Sequence, residues 1–238
     1  MSRIGVFGGM GPSATVDFMD KLVRLTPAKR DQDHLPVVVA SFPHIHDRSR
    51  AILGQGADPL PQLLKGIEFL NGAAVGVIAI PCNSSHHWYE QMSRASAAPI
   101  LHIARSCVAA IAGAGSQRVA IFATRGALAS GFYQRELQAR GIDFLVPEAQ
   151  AAQSLVDDCI REVKAGDTAA GGASLGRALR HAQDQGATAV IMGCTEIPIA
   201  ARHTPSQGLL LVDSSLELAR ATVNYALERG WNRPGWDC

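Results

Sequence analysis

The chain carries one short pattern twice, about half its length apart. Cys82 and Cys194 each follow an apolar run that reads as a buried strand, and they lie 112 residues apart. A second pair of segments, Arg3–Gly11 and Arg118–Gly126, is offset by 115 residues. Two nearly equal offsets indicate an internal duplication, whose period is too long for solenoid repeats of about 20–50 residues. We therefore expect two similar lobes related by a pseudo-twofold axis.

Apolar runs alternate with helical patterns along the chain. The runs are short and nearly continuous, which is typical of parallel strands covered on both faces. They span residues 4–7, 37–40, 75–80, 118–122, 188–192 and 209–212. Helical patterns span residues 13–26, 60–71, 84–96, 103–113, 128–140, 150–165, 173–185 and 214–229. This alternation predicts an α/β fold in which each lobe is a mostly parallel sheet flanked by helices.

The first predicted lobe is discontinuous along the chain. We assign residues 1–102 plus 209–238 to the first lobe and residues 103–208 to the second, with the last strand and helix returning to the first lobe. Ligands of open α/β sheets bind beyond the carboxyl ends of the strands. Cys82, Thr124 and Cys194 fall at such ends, which favours one active site in the cleft between the lobes.

Composition argues against several classes of function. The 238 residues carry a net charge of +1, without a basic run of the kind that binds nucleic acids. No apolar stretch reaches the about 20 residues that a membrane-spanning helix needs, and we expect no signal peptide. Five cysteines are an odd and sparse set, which argues against a disulfide framework. We expect a cytoplasmic globular protein with reduced thiols.

The two matched thiols predict acid/base chemistry. A thiol at a strand-to-helix turn lies near a helix N-terminus, which lowers its pKa. Two thiols in matching positions suggest two acid/base groups that face one substrate. Cys107, Cys159 and Cys238 lack this context and are expected to be small buried apolar residues. No metal site is expected, because Cys194 has no cysteine or histidine partner at metal-ligand spacing.

Candidate binding groups also lie near the strand ends. Gly9, Met10 and Gly11 form a loop whose backbone N–H groups, near a helix start, suit a carboxylate better than a dinucleotide. Arg48 is either a solvated surface charge or a fork for a carboxylate. Lys164 lies late in a predicted helix, where a cation most often complements the helix C-terminus.

Five sequence blocks extend over nearly the whole chain, at Gly8–Pro12, Asp31–His34, Asp47–Arg48, Pro81–His86 and Gly193–Ile197. In this order they resemble the blocks of the cofactor-independent aspartate/glutamate racemases. The two cysteine blocks are specific in combination. The resemblance implies a two-lobed α/β fold, a homodimer, a small acidic amino acid as substrate between the lobes, and no cofactor.

The resemblance also implies roles for single residues. Cys82 and Cys194 are the catalytic pair. Arg48 and Lys164 match positions that hold the side-chain carboxylate of the substrate. The α-carboxylate and amino group are held at the positions that match Asn83, Ser84, Thr124 and Thr195.

Several residues near the expected site depart from the family pattern, among them Ser84 and Ser85, which stand where the family usually has Thr-Ala. Phe42 stands where the family commonly has Asn, and His46 stands where it has Pro. Arg125 and Ala127 lie within a segment that often reads Thr-Thr-Gly-Thr. Phe42 adds bulk and Arg125 adds a cation, so these departures bear on the identity of the substrate.

The expected reaction is racemisation by two bases. One thiolate removes the α-proton from one face of the amino acid, while the other thiol protonates the opposite face. Arg48 and Lys164 favour aspartate, with glutamate second. His86 and His87 are either residues of a helix start or proton partners of Cys82.

Three other functions fit part of the pattern. A single-thiol isomerase or decarboxylase of the same superfamily would leave one cysteine dispensable. A non-catalytic binder of small dicarboxylates would also suit two lobes around a cleft. A redox protein would require two cysteines to meet at disulfide distance. The matched thiols favour the racemase, since a binder needs no acid/base pair.

Overall fold

The computed structural model describes residues 2–115, 118–148 and 150–232. The described chain divides into two compact units. The first comprises residues within Met1–Arg48, Gly56–Ile103 and Ser215–Cys238, and the second comprises Ser49–Gln55 and residues within Ala104–Ser214. Cys238 and the rest of segment 233–238 lie outside the described residues, so the prediction for Cys238 has no structural counterpart.

Parallel strands and helices alternate in both units. In chain order the elements are β1 (Ile4–Gly8), α1 (Pro12–Leu25), β2 (Val37–Ser41), α2 (Arg48–Ile52), α3 (Leu60–Gly72), β3 (Val77–Ala79), α4 (Tyr89–Ala95), α5 (Ile103–Gly113), β4 (Arg118–Ala123), α6 (Arg125–Ser130), α7 (Phe132–Gln138), β5 (Asp143–Leu145), α8 (Ala152–Lys164), α9 (Thr168–Asp184), β6 (Ala189–Gly193), α10 (Ile197–Ala201), β7 (Leu210–Asp213) and α11 (Ser214–Glu228). Short 3-10 helices span Asp31–Asp33 and Ser84–Trp88. The predicted α/β class, with two sheets of parallel strands flanked by helices, is confirmed.

The first sheet has the order β2-β1-β3, and all its strands are parallel. All five residues of β1 are buried, as expected for a central strand covered on both faces. Residue Ile78 of β3 also forms a parallel bridge with Ile100, so the chain after α4 extends this sheet by a single pair. Pro12 begins α1, where its missing N–H costs no hydrogen bond, and Phe18 of the same helix is fully buried in the core.

The second sheet has the order β5-β4-β6-β7, again entirely parallel. Apolar side chains of β4 and β6 contribute to two separate clusters in this unit. One cluster includes Phe122 and Met192 together with α8 and α9, and the other includes Ile121 and Ile191 together with α5 and α7. Burial on both faces explains why these strands read as continuous apolar runs.

The last strand lies in the second unit, contrary to the expectation that it returns to the first. Leu210 pairs with Ala189, so β7 is the fourth strand of the second sheet. The duplication explains this placement, because the equivalent segment of the first half contains Ile100, which bridges to Ile78. Segment Ser49–Gln55, which the sequence predicts for the first lobe, also belongs to the second unit.

Two helices belong to the unit that does not supply the strand before them. Helix α5 follows the Ile100 bridge, yet its apolar residues from Ala104 onwards pack in the core of the second unit. Helix α11 directly follows β7, yet Leu218 and Val223 pack with Ile4 in the core of the first unit.

Several predicted elements differ in their bounds. The predicted helix 84–96 is a 3-10 helix followed by α4. The predicted helix 128–140 is divided into α6 and α7 at Gly131, whose φ of 71° is left-handed. Strand β5 was not predicted, because it has only three residues and none of them is fully buried.

Candidate active site

The predicted site residues lie at the carboxyl ends of neighbouring strands in each unit. In the first unit the glycine loop follows the central strand β1, and Cys82 follows the adjacent strand β3. In the second unit Thr124 follows β4, and Cys194 follows the adjacent strand β6. Carboxyl ends of parallel strands are where open α/β sheets bind ligands. Each unit therefore has one thiol and one loop at the carboxyl edge of its sheet.

The glycine loop is held by Thr15 of α1. The Gly9 N–H donates to Thr15 Oγ1 at 2.8 Å, and the same hydroxyl donates to the Gly11 carbonyl at 3.0 Å. Gly9 has a φ of +90°, and a side chain there would overlap the backbone of Phe42. Glycine is therefore required for the close approach of two loops. Because the Gly9 N–H has a partner, the expected backbone contact to a carboxylate does not come from Gly9.

Arg48 fixes the loops around it. Its terminal nitrogens donate to the carbonyls of Ile45 at 3.0 Å, His46 at 3.0 Å and Met10 at 3.2 Å. Its Nε is buried and has no hydrogen-bond partner among the described residues. Arg48 therefore joins the Met10 loop to the segment before α2, and it keeps unused N–H donors on a permanently charged group.

Cys82 lies in a rigid turn directly after the first sheet. Its carbonyl accepts hydrogen bonds from the Ser85 hydroxyl at 2.7 Å and from His86 Nδ1 at 3.0 Å. Cys82 is 6% exposed, and the neighbouring Asn83 and Ser84 are buried as well. The 3-10 helix that starts at Ser84 thus holds three of the predicted site residues at one strand end.

His86 is a buried neutral residue in this turn. Its Nε2 accepts a hydrogen bond from the Ile103 N–H at 3.2 Å, so Nδ1 carries the proton that is donated to Cys82 O. Burial lowers the pKa of His86 from 6.5 to about 4. Both ring nitrogens are engaged with backbone atoms, so His86 supports the backbone of Cys82 and is not a proton partner of its thiol. His87 is exposed, with its ring against Trp88.

Thr124 caps the helix that follows β4. Its hydroxyl accepts the Ala127 N–H at 3.2 Å, which satisfies a donor at the start of α6. Arg125 forms an ion pair with Asp157 of α8 at 2.6 Å. The cation that departs from the family pattern is therefore neutralised by a neighbouring carboxylate.

Cys194 is hydrogen-bonded to a carboxylate that sequence reasoning did not single out. Its Sγ–H donates to Glu196 Oε2 at 2.9 Å, and the Thr195 hydroxyl donates to the same oxygen at 3.2 Å. Cys194 is 8% exposed, and Thr195 is buried. Glu196 lies within the second cysteine block, so its position two residues after the thiol was the signal available in the sequence.

The environment of Cys194 favours the neutral thiol. Burial and the Glu196 carboxylate raise the pKa of Cys194 well above its usual value, while the Lys164 ammonium and the backbone of Glu196 act in the opposite direction. The prediction that a helix N-terminus lowers the pKa of Cys194 is therefore wrong. Helix α10 has only five residues, and the effect of burial on the pKa is larger than the effect of the helix. Because the Lys164 ammonium lowers the pKa of Cys194, Lys164 is a neighbouring charge of this thiol.

The other two described cysteines are core residues. Cys107 and Cys159 are fully buried thiols that do not form disulfides among the described residues. Burial and the carboxylates of Glu162 and Glu196 raise the pKa of Cys159 to about 12. Neither thiol lies at a strand end, in keeping with their expected role as small apolar residues.

Phe42 lines an apolar cavity in the first unit. Its ring makes edge contacts with Phe7 at 6.1 Å and Phe69 at 5.8 Å between ring centroids. The cavity has a volume of about 380 Å³ and is also lined by Ile45 and Lys65. The backbone of Phe42 donates to the Gly8 carbonyl, so this cavity adjoins the glycine loop.

Two structural surveys cover the described residues only. Within residues 2–115, 118–148 and 150–232, no group of three or more His, Cys, Asp or Glu side chains could hold a metal ion. Over the same residues, none of the helices has the length and apolar character needed to cross a membrane.

Comparisons with known proteins show the family and the fold of the chain. A family profile described as Asp/Glu/Hydantoin racemase matches residues 7–222. The chain is 28% identical over 228 residues to the broad specificity amino-acid racemase RacX of Bacillus subtilis (strain 168), covering 94% of this chain and 98% of RacX. It matches the structure of Picrophilus torridus aspartate racemase with a TM-score of 0.84 at 25% identity, over 98% of this chain and 100% of that chain. A glutamate racemase from Francisella tularensis, in complex with D-glutamate, matches in fold with a TM-score of 0.73 at 17% identity, covering 98% of this chain and 84% of that one.

The match over residues 7–222 shows that the chain belongs to the Asp/Glu/Hydantoin racemase family. The predicted enzyme class, an isomerase of the aspartate/glutamate racemase type, is confirmed by this membership and by the amino-acid racemases to which the chain is similar.

Proposed function

We propose that the protein interconverts the L- and D-enantiomers of aspartate, with glutamate as the second choice, by a two-cysteine mechanism that uses no cofactor. One thiolate removes the α-proton, and the other thiol delivers a proton to the opposite face. Racemisation needs an acid and a base, and Cys82 and Cys194 provide one thiol in each unit.

The observation that carries the proposal is the repeated position of the thiol. Cys82 follows β3, which pairs with β1, and Cys194 follows β6, which pairs with β4; β1 and β4 precede the glycine loop and Thr124. A single-thiol isomerase would not need this repetition, and neither would a non-catalytic binder.

Two cations support an acidic substrate. Arg48 keeps a buried Nε without a partner among the described residues, and Lys164 acts electrostatically on Cys194. Carboxylates bind well to such groups, and Arg adds a planar fork. Hydrogen-bond donors around the α-carboxylate, such as the amide of Asn83, would stabilise the developing carbanion.

A second candidate is a racemase for amino acids with larger side chains. Phe42 replaces the polar residue that the family commonly has, and it lines the apolar cavity beside the glycine loop. The relative in Bacillus subtilis is described as having broad specificity. This candidate uses the same two thiols and differs only in the side chain of the substrate.

The test is turnover in D2O without added cofactor. Purified protein is incubated separately with L-aspartate, L-glutamate and L-leucine, and the D-enantiomer and its α-deuterium are measured by chiral chromatography and mass spectrometry. We expect D-aspartate that carries deuterium. Cys82→Ala and Cys194→Ala should each lower the rate by at least about a hundredfold, since general acid–base groups contribute about 10²–10⁴.

Cys107→Ala is the matched control, because it removes a fully buried thiol outside the predicted site. Its rate should stay within about threefold of the wild type. Full activity of either Cys82→Ala or Cys194→Ala would contradict the two-base mechanism. Turnover of leucine in preference to aspartate would support the second candidate.

The expected homodimer and the cytoplasmic location stay predictions. Light scattering on the purified protein tests the first, since a mass twice the 25.2 kDa of the chain would indicate a dimer. A fluorescent fusion in the source cells tests the second.

A further inference from the structure

Glu196 is placed to control the protonation of one thiol. Its Oε2 accepts the Sγ–H of Cys194 at 2.9 Å and the hydroxyl of Thr195 at 3.2 Å. A carboxylate can only accept from these groups, so the hydrogen bond exists only while Cys194 is a thiol. When the thiol loses its proton, a thiolate faces the carboxylate and the two charges repel each other.

We propose that Glu196 is a positioning residue that keeps Cys194 protonated in the free enzyme, so that Cys194 is the proton donor and Cys82 the proton acceptor of the first turnover. This inference rests on the proposed two-thiol racemisation. It adds the resting protonation state of the pair, which racemisation by itself leaves open.

The proton transfers balance within one turnover. The Cys82 thiolate takes the α-proton and becomes a thiol, while the Cys194 thiol gives its proton to the α-carbon and becomes a thiolate. Cys82 then releases a proton to solvent and Cys194 takes one up, which returns the pair to its starting form. The Cys194 thiolate formed on the way is disfavoured beside Glu196, so this exchange favours the starting form.

The other charges around Cys194 do not change this assignment. Lys164 at the end of α8 attracts the thiolate, but burial and Glu196 outweigh it. Glu162 of α8 accepts a hydrogen bond from Ser174 of α9 at 2.8 Å and acts on Cys159. Arg125 and Asp157 neutralise each other in an ion pair.

The first test measures the ionisation of Cys194 without using activity. The rate at which iodoacetamide alkylates Cys194 is followed against pH by mass spectrometry of the Cys194 peptide, because only the thiolate reacts. Glu196→Gln removes the charge but keeps the shape. At about pH 8 we expect alkylation of Cys194 to be at least about tenfold faster in this variant, since each unit of pKa changes the thiolate fraction about tenfold.

The controls separate charge from loss of structure. Glu162→Gln neutralises a partly buried carboxylate in the same unit without touching Cys194, and its alkylation profile should match the wild type. If Glu196→Gln does not fold, Glu196→Asp withdraws the carboxylate by one methylene, and alkylation should still be accelerated. Equal profiles in wild type and a folded Glu196 variant would overturn the proposal.

A second readout concerns the reaction itself. In Glu196→Gln the alkaline limb of kcat/KM should move to lower pH in the direction that uses Cys194 as the acid, because its proton is lost more easily. Loss of activity in Cys82→Ala but an unchanged alkaline limb in Glu196→Gln would overturn the positioning role and leave the proposed function intact.

Discussion

At the scale of single residues, hydrogen bonds to the backbone decide which polar groups are available for chemistry. His86 and Arg48 both carry groups that could serve a substrate, yet most of their donors and acceptors contact carbonyls or N–H groups of neighbouring loops. His86 is occupied at both ring nitrogens. Arg48 retains its Nε–H donor without a partner among the described residues, so of these two residues Arg48 is the one proposed to contact the substrate.

His86 should make the protein sensitive to acid. Its pKa is lowered from 6.5 to about 4 by burial, so protonation favours the unfolded chain. Stability from this group is therefore present above about pH 6.5 and is lost as the pH falls towards 4. The expected loss in the free energy of unfolding between about pH 7 and about pH 4 is about 3 kcal/mol.

Urea unfolding of wild type, His86→Gln and His87→Gln at both pH values measures this contribution. His86→Gln should be less stable than wild type at neutral pH but should lack the His86 part of the acid loss. His87 is exposed, so His87→Gln should follow the wild type. An identical pH dependence in His86→Gln and wild type would contradict the buried neutral state.

At the scale of elements, the segment Ser49–Gln55 belongs to a different unit from the residues on either side of it. The Gly126 N–H at the start of α6 donates to Ser49 Oγ at 3.0 Å. A Cβ on Gly126 would lie 2.6 Å from the Cα of Ser49, which is closer than real Cβ atoms approach. The packing of α2 against α6 therefore depends on a glycine that the sequence marks only as part of a loop.

Gly126→Ala should destabilise the protein by about 1–3 kcal/mol, because the backbone of α2 must move to admit the methyl group. Gly113→Ala is the matched control at the end of α5, where a Cβ would meet nothing within 4 Å. It should be neutral or stabilising by up to about 1 kcal/mol, since alanine is the better helix former. Urea unfolding of both variants compares them, and equal stabilities would contradict the close contact.

At the scale of the whole molecule, the proposed function makes ligand binding a stabilising force. A ligand that binds only the folded protein stabilises it by about 2.7 kcal/mol at a hundredfold excess over its Kd. For a chain of this size each kcal/mol raises Tm by about 2–4 °C. The matched family and the two cations predict aspartate as such a ligand.

Thermal unfolding with increasing L-aspartate should therefore raise Tm by about 5–10 °C at saturation. L-lysine, which has the same α-carbon groups but a cationic side chain, is the control and should give a smaller shift. An equal shift with both amino acids would contradict recognition of the acidic side chain by Arg48 and Lys164. No shift with either would contradict binding of free amino acids.

The sequence by itself determined the α/β class, the strand ends and the two cysteine blocks. These features are local, because a strand covered on both faces needs a continuous apolar run, and the limits of that run mark the strand ends. The placement of Cys82 and Cys194 directly after strands follows from the same local patterns, whereas the order of the strands in each sheet does not. The family resemblance was readable for this reason, and the match over residues 7–222 confirms it.

Only the tertiary structure decided the properties that depend on non-local partners. The apolar pattern of the last strand would fit the sheet of either unit. Its pairing with β6 places it in the second unit. The preferred protonation of Cys194 follows from burial and from the Glu196 side chain, whose direction no sequence pattern specifies. The neutral state of His86 follows from desolvation and from the Ile103 N–H, 17 residues away along the chain. Burial and long-range hydrogen bonds arise only when the chain is packed, so they decide the chemistry of groups that the sequence can only locate.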